Sequence, residues 1–267
     1  MDPLERLYEA SGLPEEDLPQ DLERLYGGPI GFARPRLIAN FVSSVDGIVD
    51  LSSVRNAPSF VSGKSEQDRF VMGLLRSMAS CVLIGAGTLR AEPEHRWTPA
   101  HISPEAADAF ATLRESLSLP AEPELAVVTA KGDLNPDAEA LGDAVVLTTA
   151  AGAKELDRRG VRTRKAITLG DARLEPREVV GALRARGHDL ILSEAGPGLM
   201  AQLLEDRLLD ELFLTVSPLV LGRDDQDERR GFADGVDLIT GGPPSAELTT
   251  VRRGGSHLFL RYTFADR

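Results

Sequence analysis

Three short stretches of the chain set acidic, hydroxyl and glycine residues at the ends of apolar runs, where polar groups can meet a ligand. Gly85-Ala86-Gly87-Thr88 follows the run 81–84, and Ser193-Glu194-Ala195-Gly196-Pro197-Gly198 follows the run 190–192 and leads into a helical stretch. Glycines at such turns let backbone approach a ligand closely, and the first turn of the following helix offers unpaired N–H groups to phosphate oxygens. Neither loop is a G-x-G-x-x-G fingerprint or a P-loop, and each alone reads equally well as an ordinary tight strand–helix turn. Two in one sheet favour a dinucleotide. The third stretch is Ser43-Ser44-Val45-Asp46-Gly47. An acid before a glycine at a strand end is most often a turn former; the functional reading makes Asp46 a polar contact for a substrate ring or a pyridine nucleotide. Glu194 ends an apolar run, where a carboxylate is costly to bury without a partner. A ligand amide or hydroxyl would serve; the plainer reading has Glu194 favour the positive end of the following helix.

Other chemistries find little support. The histidines His95, His101, His188 and His257 show no ligand spacing, no H-x-E precedes a P-C-x-x-C, and no G-x-S-x-G elbow occurs. No metal is expected. The single cysteine, Cys81, lies in the apolar run CVLIG and reads as core. A net charge of −12 argues against a nucleic-acid partner, though not against a phosphorylated ligand held by local amides and an arginine. No stretch approaches the roughly 20 apolar residues of a membrane span, and the acidic start MDPLERLYEA lacks the marks of a secretion signal. A cytoplasmic protein without membrane partners is expected.

The elements that must position these residues read as an α/β sheet. Strand-length apolar runs occur at 36–42, 80–84, 125–129, 144–148, 166–169, 189–193 and 211–216, apolar on consecutive residues as expected for strands covered on both faces. Between them lie helical stretches at 65–79, with Ser65 as N-cap and Asp68 in the first turn, and at 104–116, 150–159, 176–186 and 197–206. Three begin at proline, which suits a first helical turn. This alternation implies a three-layer α/β/α sandwich with right-handed crossovers and a mostly parallel sheet. The runs 246–253 and 256–264 flank Gly254-Gly255, a hairpin signal, so antiparallel C-terminal strands are expected. Residues 1–35 read as a polar extension, with a helix over 4–8 and a segment at 21–26 that packs on the main body, before a domain spanning 36–267; residues 223–230 read as a solvated charged loop.

Taken together, Asn40-Phe41-Val42-Ser43-Ser44-Val45-Asp46-Gly47, Leu75-Arg76, Ile84-Gly85-Ala86-Gly87-Thr88-Leu89-Arg90-Ala91-Glu92, Ile191-Leu192-Ser193-Glu194-Ala195-Gly196-Pro197-Gly198-Leu199, Leu209-Asp210-Glu211-Leu212 and Ser217-Pro218-Leu219-Val220-Leu221-Gly222 resemble the pyrimidine reductase domain of riboflavin biosynthesis. That domain belongs to the dihydrofolate-reductase-like superfamily, and the match spans roughly residues 35–265 in order. The resemblance implies a dihydrofolate-reductase-like fold, a homodimer, NADPH as cofactor, and reduction of 5-amino-6-(5-phosphoribosylamino)uracil or a related phosphorylated pyrimidine. By position it implies cofactor contacts from Ser43, Thr88, Glu92, Gly196, Pro197, Gly198, Leu199 and Met200, with Thr129 on the adenosine-phosphate side, and these join Gly85 and Gly87 of the first glycine turn as cofactor candidates. It implies substrate contacts from Glu194 and Arg76, and puts Asp46 beside the nicotinamide, so that Asp46 and Glu194 are the catalytic candidates.

The chain departs from the family pattern at three places. Ile48 stands where Lys or Arg is common, Glu92 where Asp is common, and Pro93-Glu94-His95-Arg96 replaces the usual substrate-contacting segment, leaving Arg96 as a candidate for a ribose phosphate. Residues 1–35 are too short for the deaminase half that often precedes this domain, so a stand-alone reductase is expected. The departures keep a dihydropterin or other small-imine substrate open. A non-catalytic nucleotide-binding protein is the alternative of another class.

Overall fold

The computed structural model describes residues 1–51, 56–223 and 229–265. In chain order the strands are β1 (Glu5–Glu9), β2 (Arg36–Ser43), β3 (Asp50–Leu51), β4 (Cys81–Gly85), β5 (Glu124–Thr129), β6 (Val145–Thr148), β7 (Lys165–Thr168), β8 (Leu190–Ser193), β9 (Glu211–Val216), β10 (Arg229–Arg230), β11 (Ala246–Gly254) and β12 (His257–Phe264). The helices are α1 (Gln20–Tyr26), α2 (Ala57–Val61), α3 (Glu66–Met78), α4 (Ala86–Ala91), α5 (Pro99–Ile102), α6 (Ala107–Ser116), α7 (Ala150–Arg159), α8 (Pro176–Ala185) and α9 (Pro197–Glu205). None among the described residues is long and apolar enough to cross a membrane.

Ten strands form one sheet in the order β1-β11-β12-β9-β2-β8-β4-β5-β6-β7. From β9 to β7 all neighbours are parallel; β12, β11 and β1 add an antiparallel edge. The expected mostly parallel α/β sandwich is therefore present. Its layers follow from connection handedness: chain segments that move toward β7 carry α3, α6 and α7 to one face, and segments that return carry α8 and α9 to the other. Alternate residues of each strand serve the two cores. Ile38, Val82, Val146 and Leu192 pack with Phe70, Leu74 and Phe110 on one face, and Leu37, Leu83, Val145 and Ile191 with Leu183, Met200 and Leu203 on the other.

Helix α3 carries much of the site and is fixed at both ends. The Ser65 hydroxyl accepts from the Asp68 amide at 3.2 Å, an N-cap as expected. At the other end the buried Arg114 guanidinium donates to the carbonyls of Arg76, Ser77 and Ala79 at 3.0, 3.1 and 2.8 Å, satisfying groups that a helix end leaves open. Gly73 brings α3 against α6: a Cβ there would lie 2.8 Å from the Phe110 ring.

Three expectations need correction. Residues 4–8 do not form a helix; β1 pairs with β11, with Glu9 opposite Thr250 and Glu5 opposite Arg253. The open edge of β11 and its arginines outweigh the helical propensity of ERLYE, a stretch too short to hold a helix by itself: Glu9 accepts from buried Arg252 at 2.6 Å, and Glu5 pairs with Arg253. The hairpin turn sits one residue later, at Gly255-Ser256, because Gly254 still pairs with His257. Within the stretch read as a charged loop, Arg229–Arg230 forms a short strand against Asp50–Leu51, with Arg230 paired to Asp50; residues 224–228 lie outside the described residues.

Candidate active site

The sheet order reverses where β8 returns to lie between β2 and β4, and ligands of open α/β sheets collect at the carboxyl ends of strands beside such a reversal. Both glycine loops are there. Leu83 of β4 lies opposite Ser193 of β8, and the Glu194 amide donates to the Leu83 carbonyl at 2.9 Å. The two loops therefore leave adjacent strands side by side.

Each loop runs directly into a helix: Gly85 is the N-cap of α4 and Gly196 that of α9. Neither helix has an acidic residue in its first turn to occupy its amides. A Cβ added at Gly85, Gly87, Gly196 or Gly198 would meet no protein atom within 4 Å, so all four glycines border open space. In α9 the first intrahelical bond runs from the Met200 amide to the Gly196 carbonyl, at 3.2 Å, which leaves the Gly198 and Leu199 amides ahead of it. Met200 is different from its neighbours: its side chain is fully buried in the lower core and its amide is spent in the helix, so it supports the loop from beneath.

Glu194 points to the face covered by α3 and meets Arg76. The guanidinium donates from Nε at 2.8 Å to one carboxylate oxygen and from Nη2 at 2.7 Å to the other. The Arg76 side chain is 1% exposed and that of Glu194 9%, so water screens the pair little. Arg76 Nη1 also donates to the Arg96 and Thr98 carbonyls at 3.4 and 3.2 Å, and Nη2 lies 3.1 Å from His95 Nε2. All five N–H groups of the guanidinium thus have protein partners. In this arrangement Arg76 stands behind Glu194 and holds it, and the substrate contact expected of it requires exchange of one of these bonds.

His95 bridges onward, with Nδ1 3.4 Å from the Glu92 carboxylate. Burial, then the neighbouring Arg76 and His101, push its pKa down to about 3. Burial, aided by Glu194, raises that of Glu92. Arg96 is largely exposed and lies 3.5 Å from Glu139, leaving its side chain at the surface.

The other expected residues divide. Ser43 is buried at the end of β2, its carbonyl accepting from the Ser217 amide at 2.8 Å. Asp46 is exposed and clasps loops: it accepts from the Ser44 hydroxyl at 2.6 Å and from the Leu221 and Gly222 amides at 3.1 and 2.7 Å. The Ser44 hydrogen bond, followed by that from Leu221, lowers its pKa to about 2. These bonds match the turn-former reading. Thr129 likewise serves a turn, accepting from the Gly132 amide at 3.0 Å and, through its carbonyl, from Thr148 at 2.7 Å. Thr88 lies in α4 beside Gly87, half-buried at the loop.

One acid escaped the sequence reading as a site residue. Asp68, taken as first-turn decoration of α3, is 5% exposed and shares a side-chain hydrogen bond with Thr215 near the carboxyl end of β9. Burial raises its pKa from 3.8 to about 6, against the opposing effects of Thr215, His257 and Arg69 and with a further rise from Glu194. A polar side chain three residues ahead of Val71, the start of an apolar helical stripe, was the signal available, and first-turn acids are too common for it to stand out.

The model of the RibD C-terminal domain matches residues 35–258. The chain belongs to the RibD C-terminal domain family. Solved structures with the same fold include a pyrimidine reductase-like protein from Corynebacterium diphtheriae, at TM-score 0.68 and 21% identity over 87% of this chain and 93% of that one. RibD of Acinetobacter baumannii aligns at TM-score 0.61 and 17% identity over 87% of this chain and 58% of its own. Rib7, the riboflavin biosynthesis reductase of Saccharomyces cerevisia, aligns at TM-score 0.58 and 15% identity over 94% of this chain and 100% of its own. No match was found among curated proteins. The matched span, residues 35–258, contains both strand-end loops and the Glu194–Arg76 pair.

Proposed function

We propose that the protein is an NADPH-dependent reductase acting on 5-amino-6-(5-phosphoribosylamino)uracil or a closely related phosphorylated pyrimidine. The observation that carries the reading is the joining, on adjacent strands β4 and β8, of an open glycine-lined cradle and a buried carboxylate held in one plane by an arginine.

The cradle fits a dinucleotide. Side chains at Gly85, Gly87, Gly196 or Gly198 would fill the space they now border, and the Gly198 and Leu199 amides at the start of α9 suit phosphate oxygens. Ser43 ends β2, which pairs with β8, while Thr88 lies in α4 and Glu92 caps its far end; these residues would hold the remainder of the cofactor. When bound, NADPH supplies the hydride.

The chain's own residues bind, orient and exclude water. Glu194, paired with Arg76, accepts hydrogen bonds and so selects a ring that presents N–H groups toward it. Opening of the ribosylamine gives an imine carbon at C1′ of the sugar. That carbon would accept the hydride, the C=N π electrons becoming a nitrogen lone pair that takes a proton from solvent. Arg96, at the surface and paired with exposed Glu139, is suited to the ribose phosphate. Asp46 shapes the mouth by tying the 44–47 turn to residues 221–222.

Purified protein mixed with NADPH and the phosphoribosylaminopyrimidine should deplete the near-ultraviolet absorbance of the reduced nicotinamide. Saturable NADPH binding without turnover would overturn the reading. Turnover of a dihydropterin in place of the pyrimidine would keep the chemistry and replace the substrate.

A further inference from the structure

The site contains a contact chain of four side chains, Glu92–His95–Arg76–Glu194, that crosses from the end of α4 to the end of β8. An arginine side chain has five N–H donors and no acceptor. With Nη2 of Arg76 3.1 Å from His95 Nε2, the imidazole nitrogen must be the acceptor, which leaves the ring proton on Nδ1, the atom 3.4 Å from Glu92. The ring is fixed in that place by Trp97 and His101, whose centroids lie 5.0 and 4.8 Å away at steep angles. The carbonyls of Arg96 and Thr98, from the same segment, take the Nη1 donors. Residues 95–98 thus form a collar around one guanidinium that is 1% exposed.

We infer that His95 is a positioning residue: by accepting from Arg76 it fixes the guanidinium, and through it the plane of the Glu194 carboxylate. The inference rests on the reductase reading and goes beyond it, since it gives the segment that departs from the family pattern a defined task. Without the imidazole acceptor one buried Nη2–H loses its partner, and the guanidinium must tilt to find another. Glu194 is held by both oxygens to that group and turns with it. With only 9% of its side chain exposed, a small rotation decides what Glu194 can meet. His95 stays neutral across the physiological range, because burial and the cation beside it oppose a second proton, so the acceptor is always available.

Wild type, His95→Phe and His95→Gln are compared with NADPH and the phosphoribosylaminopyrimidine. Phe keeps the ring's bulk and loses the acceptor, whereas Gln places an amide oxygen near the Nε2 position. His95→Phe should raise KM for the pyrimidine about tenfold or more with KM for NADPH little changed, and His95→Gln should recover most of that loss. In parallel, 15N NMR of the ligand-free protein should show the His95 ring protonated at Nδ1 alone, and a protected Arg76 Nε–H signal that His95→Phe loses and His95→Gln keeps. Equal losses in both variants would assign His95 to packing and overturn the inference, as would an unchanged Arg76 signal in His95→Phe. If wild type itself turns over no pyrimidine, the reductase reading falls, and the two NMR signals then decide the positioning role by themselves.

Discussion

Glu194 and Arg76 meet through both carboxylate oxygens, at 2.8 and 2.7 Å, with the guanidinium almost entirely removed from water. The contact joins the end of the strand that opens a ligand loop to the helix packed above the sheet. Under the proposed function it serves recognition as well as stability, and substitutions should then show both effects.

Glu194→Gln leaves a buried guanidinium with a neutral partner. We expect a loss of about 2–4 kcal/mol in denaturant unfolding, together with a fall in kcat/KM for the pyrimidine. Adding Arg76→Met to the variant should restore much of the stability and none of the turnover. Recovery of both would show that Glu194 acts on the fold alone.

Gly196 has φ −66° and ψ 172°, values open to any residue, and no protein atom lies within 4 Å of the Cβ site. Gly196→Val should therefore fold with a nearly unchanged melting temperature and weaken NADPH at least about tenfold, by obstructing phosphate approach to the α9 amides. Fluorescence titration beside a thermal melt separates the two quantities. Unaltered NADPH affinity would remove this loop from the cofactor site.

Asp68 gives a pH signature. The unfolded chain ionises this carboxyl near its ordinary 3.8 and the folded protein near about 6. Between those values the folded state binds more protons, so stability is fully present below 3.8 and falls as pH rises through about 6. Relative to wild type, Asp68→Asn should gain up to about 3 kcal/mol between acidic and neutral pH. Urea titrations of both proteins at several pH values read the difference directly, and a pH-independent gap would show that Asp68 titrates normally.

Glu9 is the counterion of Arg252, a side chain 1% exposed whose guanidinium also lies 4.0 Å over the Tyr26 ring. Glu9→Ala should cost about 2 kcal/mol of stability. Hydrogen exchange of β1 amides should rise in the same variant while β5 and β6 amides stay protected. Unchanged protection in β1 would mean that backbone pairing alone secures the strand.

The parallel half of the sheet was legible because strands covered on both faces are apolar on consecutive residues, as in the runs ending at Ile84 and Leu192, and because prolines mark the starts of α8 and α9. Strand β1 was not, since Glu-Arg-Leu-Tyr-Glu has no strand pattern and becomes one only against Arg252 and Arg253. In the site, Glu194 and the glycine loops declared themselves by standing at strand ends. Arg76 was found and its direction was not, because five local acceptors turn it inward. His95 was passed over because histidines were tested for metal-ligand spacing, whereas its partner is a guanidinium 19 residues away.

The pairing of β1 with β11 also bears on the order in which the molecule assembles during synthesis. Glu5 and Arg253 are 248 residues apart, and β9, β11 and β12 must all be in place before β1 has an edge to join. On the ribosome, residues 5–9 wait for almost the whole chain to emerge, with Leu7 and Tyr8 still carrying apolar surface into solvent. Closing so long a loop is slow, and such a segment is available meanwhile to chaperones or to wrong partners. The pairing of this edge thus belongs to the late, non-local contacts of the fold.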